Sequence, residues 1–193
     1  MSFWGSKLSW ILLIIAIVGD VIVPYILGLF YPNYSQIRDV MSILGNPNSP
    51  VKSYYNAWLM IVGTLLLISA FNLYKNYNRV YKLFSLVVFI LVSTFAIGDC
   101  IISSIFSTYS QIHSIGSGIG FTALALVSLI ISAIYFRDSN FIGSIMCIVL
   151  FILSLVLFIL FLVPSSLIGL WQRLLLVVIY LPLLNEGVNN IKK

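Results

Sequence analysis

LSWILLIIAIVGDVIVPYILGLF, residues Leu8–Phe30, is a run of membrane-crossing length interrupted by one carboxylate, Asp20. The hydrocarbon core of a bilayer takes about 20 consecutive apolar residues as a helix. Only a helix or a closed barrel satisfies the backbone there, and an unbroken run without alternation reads as helix. Five further runs follow: Ala57–Tyr74, Leu83–Phe106, Ile115–Phe136, Phe141–Val163 and Leu170–Leu184, the last short and polar at its start. The chain of 193 residues is 61% hydrophobic and 8% charged, with a mean hydropathy of +1.12. A soluble domain carries about 25% charged residues. The expected fold is therefore all-α: a polytopic membrane protein with six transmembrane helices, forming one domain over residues 1–193 with a long loop at 31–56. The amino-terminal segment has the outline of a signal peptide, but no small-residue cleavage site follows it, and we read it as a retained first helix.

The net charge of +5 comes from scattered cations without a basic stripe, which argues against nucleic acid as a partner. Their placement reads as topology. Lys7, Lys75, Arg79, Lys82, Arg137, Lys192 and Lys193 fall on one side of the six spans; Arg38, Lys52 and Arg173 fall on the other. The positive-inside rule then places both termini in the cytoplasm of a multi-pass cell-membrane protein and the long loop outside. Cys100 and Cys147 lie in apolar runs without C-x-x-C spacing, so buried thiols are expected rather than a metal clip or disulfide.

Asp20 has a counterpart. Asp99 lies in AIGDCII, again after a glycine and again inside an apolar run. An ionisable residue within a span is costly and marks a candidate site. The likeness extends further: Tyr34-Ser35-Gln36-Ile37-Arg38 recurs as Tyr109-Ser110-Gln111-Ile112-His113, and Ile68-Ser69-Ala70 as Ile131-Ser132-Ala133. A duplicated helical hairpin accounts for these matches, both copies running in the same direction. By the helical rise, Asp99 sits about 10 Å and Asp20 about 15 Å from the outer ends of their helices. Pro24 cannot donate to the carbonyl of Asp20, which adds a freed backbone acceptor at that position. Ser103 stands one turn beyond Asp99 on the same face.

His113 and Arg173 begin the fourth and sixth spans, and Arg38 lies in the long loop. Acids at mid-depth beneath cations predict a polar pocket open to the outside, with Asp20, Asp99, His113, Arg173, Arg38 and Ser103 as its ligand-binding residues. The plain structural alternative makes the two acids interhelical glue. Gly116 and Gly120 have the spacing of close helix packing. One histidine excludes a multi-histidine metal site, and no phosphate-binding loop, serine-hydrolase elbow or zinc-protease motif occurs. No cofactor and no resident metal is expected.

Several blocks carry a family resemblance: Gly19-Asp20, Ser42-Ile43-Leu44-Gly45 with Ser49-Pro50 and Tyr55-Asn56, Gly98-Asp99, His113 with Gly116, and Gly169-Leu170-Trp171-Gln172-Arg173. On these the chain resembles, over nearly its whole length, the bacterial and archaeal six-helix membrane family known as domain of unknown function 998. It is more distantly similar to the FRAG/DRAM/Sfk group, some of whose members are linked to remodelling of lipid anchors and to membrane stress. The resemblance implies a six-helix fold and carries over no catalytic residue. The function expected from the residues is binding of a membrane lipid head group or similar amphiphile. Arg173, His113 and Arg38 would hold an anionic head, and the two aspartates would order the pocket or handle a proton. The alternatives are a lipid-modifying enzyme with His113 as base and Ser103, Ser114 or Ser117 as nucleophile, a small proton-coupled transporter, and a non-catalytic interaction protein. The sequence leaves the oligomeric state open.

Overall fold

A computed structural model describes residue 4 and residues 6–192. Lys193, one of the seven cations assigned to the terminal side, lies outside the described residues, as do residues 1–3 and 5 of the amino-terminal segment. Six helices are long and apolar enough to cross a membrane: α1 Lys7–Gly28, α2 Lys52–Tyr77, α3 Lys82–Ile105, α4 Gln111–Arg137, α5 Phe141–Leu162 and α6 Ile168–Lys192. A 3-10 turn, Met41–Gly45, punctuates the long loop. The described residues contain no strand.

Each helix packs against its neighbour in sequence, and α1 closes on α6, so the six form a ring; α4 also meets α6 across it. Short connections between α2 and α3, α3 and α4, and α4 and α5 make such a neighbour order the natural one. Helix starts are locally encoded. Ser6, Ser110 and Asn140 turn side-chain oxygens onto the amides of Ser9, Ile112 and Gly143, and each satisfies an orphan donor of a first turn. The interior is a continuous apolar core that includes Leu13, Val62, Leu66, Val92, Leu124 and Leu183, each fully buried. Phe95 meets both Phe121 and Tyr180 edge to face, at centroid distances of 5.9 and 5.6 Å.

Composition decides which helices face lipid. The most apolar, α5, buries only 17% of its central window, whereas α4 buries 56%. A helix apolar all round suits hydrocarbon; the glycines and serines of α4 suit close packing within protein.

Two boundaries differ from the sequence reading in ways that matter. Helix α2 begins at Lys52, five residues before Ala57, because Tyr55 is buried against the loop rather than solvated. Helix α6 continues past Leu184 to Lys192. Hydropathy falls at Asn185 and Glu186, but Gly187 lets the helix stay packed on Leu13 and Ile14 of α1. Glu186, beyond the predicted end of the sixth span, therefore lies within α6 and is 6% exposed.

Candidate functional site

The two Gly-Asp pairs meet, and their glycines explain how. In α1, Gly19 receives the indole of Trp58 from α2 against its bare Cα; a Cβ there would overlap the ring. The next residue, Asp20, is 3% exposed and accepts a hydrogen bond from the Tyr180 hydroxyl of α6 at 2.8 Å. Pro24, one turn on, is buried beside it. In α3 the backbone widens into a π-helical turn over Ala96–Ile101, where the Ile102 amide donates five residues back, to Ile97. π turns carry an extra residue within a helix and are frequent at functional sites. This turn carries Asp99. It packs on α4 through backbone: a Cβ on Gly98 would stand 2.5 Å from the carbonyl oxygen of Gly116, and one on Gly116 would stand 2.7 Å from that of Gly98. Gly120 faces Asp99 in the same way, its would-be Cβ 3.1 Å from the Asp99 amide.

Asp20 and Asp99 thereby line one cavity of about 20 Å³, together with Pro24, Tyr55, Ser103, His113 and Ser117. That volume holds a single water. Ser117 stands beside the Asp99 carboxyl, and its hydroxyl lies 3.1 Å from that of Ser103. His113, 7% exposed, has Nδ1 3.1 Å from the carbonyl of Phe106. If Nδ1 donates to that carbonyl, Nε2 is an acceptor. Two carboxyl groups among hydroxyls favour ligands that donate hydrogen bonds or carry positive charge. Asp20, Asp99 and His113 share the cavity, yet the described residues contain no three-member cluster of acids, histidines or cysteines able to hold a metal.

The long loop closes one side of the cavity wall. Met41 and Ser42 of the 3-10 turn form part of its wall, and the long loop carrying them is tied down on two sides. On one side Asn46 accepts hydrogen bonds from the amide and hydroxyl of Thr108, in the α3–α4 turn. On the other, the block at the start of α6 binds the loop residue by residue. The Leu170 amide donates to Ile37 at 3.0 Å, and Gln172 accepts from the Met41 amide at 2.6 Å. Gly169 lies so close under Asp39 that a Cβ would overlap its carbonyl oxygen. Arg173 donates to the carbonyl oxygens of Asp39 (3.1 Å) and Gly169 (2.8 Å), to the Tyr34 hydroxyl (2.5 Å) and to Gln36 (2.6 Å). Burial holds the Tyr34 phenol above its ordinary pKa, with Arg173 opposing. The phenol therefore stays neutral near pH 7 and can accept from Arg173 while donating to Val40.

Of the six residues expected at the site, four converge: Asp20, Asp99, His113 and Ser103 line the cavity. Arg173 and Arg38 do not. Arg173 is occupied by the loop, and Arg38 is exposed on that loop. The sequence reading missed Tyr180, Tyr55 and Gln172 as site residues, and named Ser117 only as one of three candidate nucleophiles. Ser117 was legible, four residues after His113 and so on the same face of α4. Tyr55 and Gln172 lie inside the blocks that carry the family resemblance. Tyr180 sits in an apolar run with no polar periodicity to single it out.

No curated protein and no solved structure matches this chain. The family model described as a protein of unknown function (DUF998) matches residues 14–186, and with most of its length covered the chain belongs to that family.

Proposed function

We propose that the protein binds an amphiphile drawn from the leaflet at its long-loop end. The observation that supports this most directly is a shared wall. Met41 and Leu176 line the acidic cavity and also a neighbouring, mostly apolar groove of about 250 Å³ between α1 and α6, which Val21, Ile22, Tyr25 and Arg173 complete. A polar recess beside an apolar groove matches a head and a tail. Movement of the loop, which carries Met41, would join the two spaces.

The charges specify the head. The acid pair suits a cationic or hydroxyl-bearing group rather than the anionic head first expected. Arg173 adds one more element. Its guanidinium has five N–H groups; four meet acceptors, and Nε is buried without a partner. Arg173 lines the groove, and its unpartnered N–H would suit a phosphate once the loop shifts. A zwitterionic head, with its cation on Asp20 and Asp99 and its anion on Arg173, uses both. In this reading the protein sits in the cell membrane with both termini cytoplasmic, as the cation distribution favours, and the leaflet concerned is the outer one.

Native mass spectrometry of gently extracted protein tests the proposal. The wild type is expected to retain a defined lipid, and Asp99→Asn to lose most of it with the melting temperature little changed. Equal retention by the variant would sink the idea. A second reading, lipid-ester hydrolysis, draws on the Ser103–Ser117 pair beside Asp99 with His113 in the same cavity. Product release from labelled lipid at equal rates by wild type and His113→Ala would exclude it.

A further inference from the structure

The end of the bundle opposite the long loop holds a larger cavity, about 580 Å³, in the size range of small-molecule sites. It opens among the ends of α2, α4 and α6. Glu186 lies on its wall and is 6% exposed. Its carboxylate accepts from the Tyr135 hydroxyl and, at 3.4 Å, from the Asn190 amide. The Asn185 amide in turn donates to Tyr135 at 2.8 Å, fixing that phenol. The Tyr77 hydroxyl, buried and on the same wall, faces Glu186 without closing a hydrogen bond of normal geometry.

A buried carboxylate that stays charged is paired with a cation or bound to a metal. Among the described residues Glu186 has only neutral donors. Lys192 borders the cavity but forms no ion pair with it. Arg137 is turned away onto the rings of Tyr81 and Phe84, at 5.5 and 5.8 Å. Asp138, also on the wall, is held by the Tyr81 hydroxyl. Among the described residues the cavity thus offers a buried carboxylate, a second carboxylate, three tyrosines and several asparagine amides, with Lys192 at its border and no cation paired with Glu186.

We propose that this cavity is a binding site for a primary ammonium group, with Glu186 as the counter-charge. A bare metal ion fits less well, because the described residues lack a three-ligand cluster and the space far exceeds an ion. An ammonium presents three donors, which a carboxylate, a phenol oxygen and an asparagine carbonyl can accept together. Its carrier is either a soluble amine or an amino-lipid head. An apolar groove of about 400 Å³ along α4, α5 and α6 abuts the cavity and shares Tyr135 with it, so it can take a lipid tail. The site uses residues separate from the Asp20–Asp99 cavity, and either proposal can fail alone.

The test is photolabelling of the full chain in phosphatidylcholine nanodiscs with a diazirine-bearing hexylamine, beside its alcohol analogue. The amine is expected to label peptides spanning residues 135–140 and 185–190 about ten-fold more than the alcohol does. Glu186→Gln should lower amine labelling by a similar factor, the scale of one charge-assisted hydrogen bond. Displacement by phosphatidylethanolamine incorporated in the disc assigns an amino-lipid; displacement by putrescine assigns a soluble amine. Equal labelling by amine and alcohol, wild-type labelling of Glu186→Gln, or displacement by neither competitor overturns the proposal. The amine–alcohol comparison is made on the wild type, so it decides even where the variant does not fold.

Discussion

Gly116→Ala is expected to cost about 3 kcal/mol or more, while Gly118→Ala, two residues along the same helix, costs nothing measurable. The difference lies in what a new methyl group meets. At Gly116 it would stand 2.7 Å from the backbone oxygen of Gly98 and 3.2 Å from Ile102; at Gly118 nothing lies within 4 Å. Overpacking of a core costs about 1–3 kcal/mol when side chains can yield. Here the obstacle is the backbone of a π turn, so the two helices must separate. Separation exposes the apolar contact between α3 and α4 and moves Asp99, which follows Gly98 directly. Helix propensity alone favours alanine over glycine by about 1 kcal/mol, so both changes would look stabilising if packing were ignored. Thermal melting in detergent checks this: by the usual scaling, a drop of about 10 °C is expected for Gly116→Ala and none for Gly118→Ala. Equal melting temperatures would mean that the Gly98–Gly116 contact does not set the helix spacing.

The same contact shows how far the sequence could be read. Span number, helical class and the acids followed from hydropathy, because a residue's transfer energy into a bilayer is local information. The close approach of α4 was legible from Gly116 and Gly120, since small residues four apart form a groove. What they approach was not. Gly98 reads as half of a Gly-Asp pair, and nothing in AIGDCII announces a π turn, which depends on how α3 seats between α2 and α4. A shared pocket for the acids was expected, but how α1 and α6 meet at Tyr180 was not legible, since that contact joins residues 160 positions apart. The duplicated hairpin predicts equivalent surroundings for the two acids, yet Asp20 lies one turn before a proline in regular helix and Asp99 in a π turn. Local sequence likeness thus leaves the detailed backbone open. Arg173 was misplaced for a related reason. A cation at the end of a span reads as facing head groups, because its partners Tyr34, Gln36 and Asp39 lie more than 130 residues away, on a loop without periodicity.

That loop gives the second large effect: Arg173→Ala is expected to release the lid. The substitution removes four hydrogen bonds from a charged donor, three of them to the loop. Hydrogen bonds to charged groups contribute about 1.5–3 kcal/mol each and are not additive, so a local loss of about 3–5 kcal/mol is reasonable. It should stay local. The apolar core that includes Leu13, Val62 and Leu124 does not depend on Arg173; the Met41 contact with Gln172 and the Asn46 contact with Thr108 hold less of the loop without it. Hydrogen exchange across residues 35–45 should rise by about a hundred-fold or more, the equivalent of that free energy, with the mid-helix amides of α2 and α4 unchanged. Gln36→Ala, which removes one of the four acceptors, should give a smaller rise in the same amides. Access follows from release. With Met41 and Ser42 no longer held against the cavity, a thiol placed at Ser117 should react with a small charged methanethiosulfonate about a hundred-fold faster in the Arg173→Ala background, in proportion to the open population. Faster exchange without faster thiol reaction would mean that the loop is latched by Arg173 but does not close the acidic cavity. Unchanged exchange would mean that Gln172, Leu170 and Asn46 hold the loop unaided. The two readouts therefore separate a structural strap from a lid, and only a lid lets the leaflet reach Asp20 and Asp99.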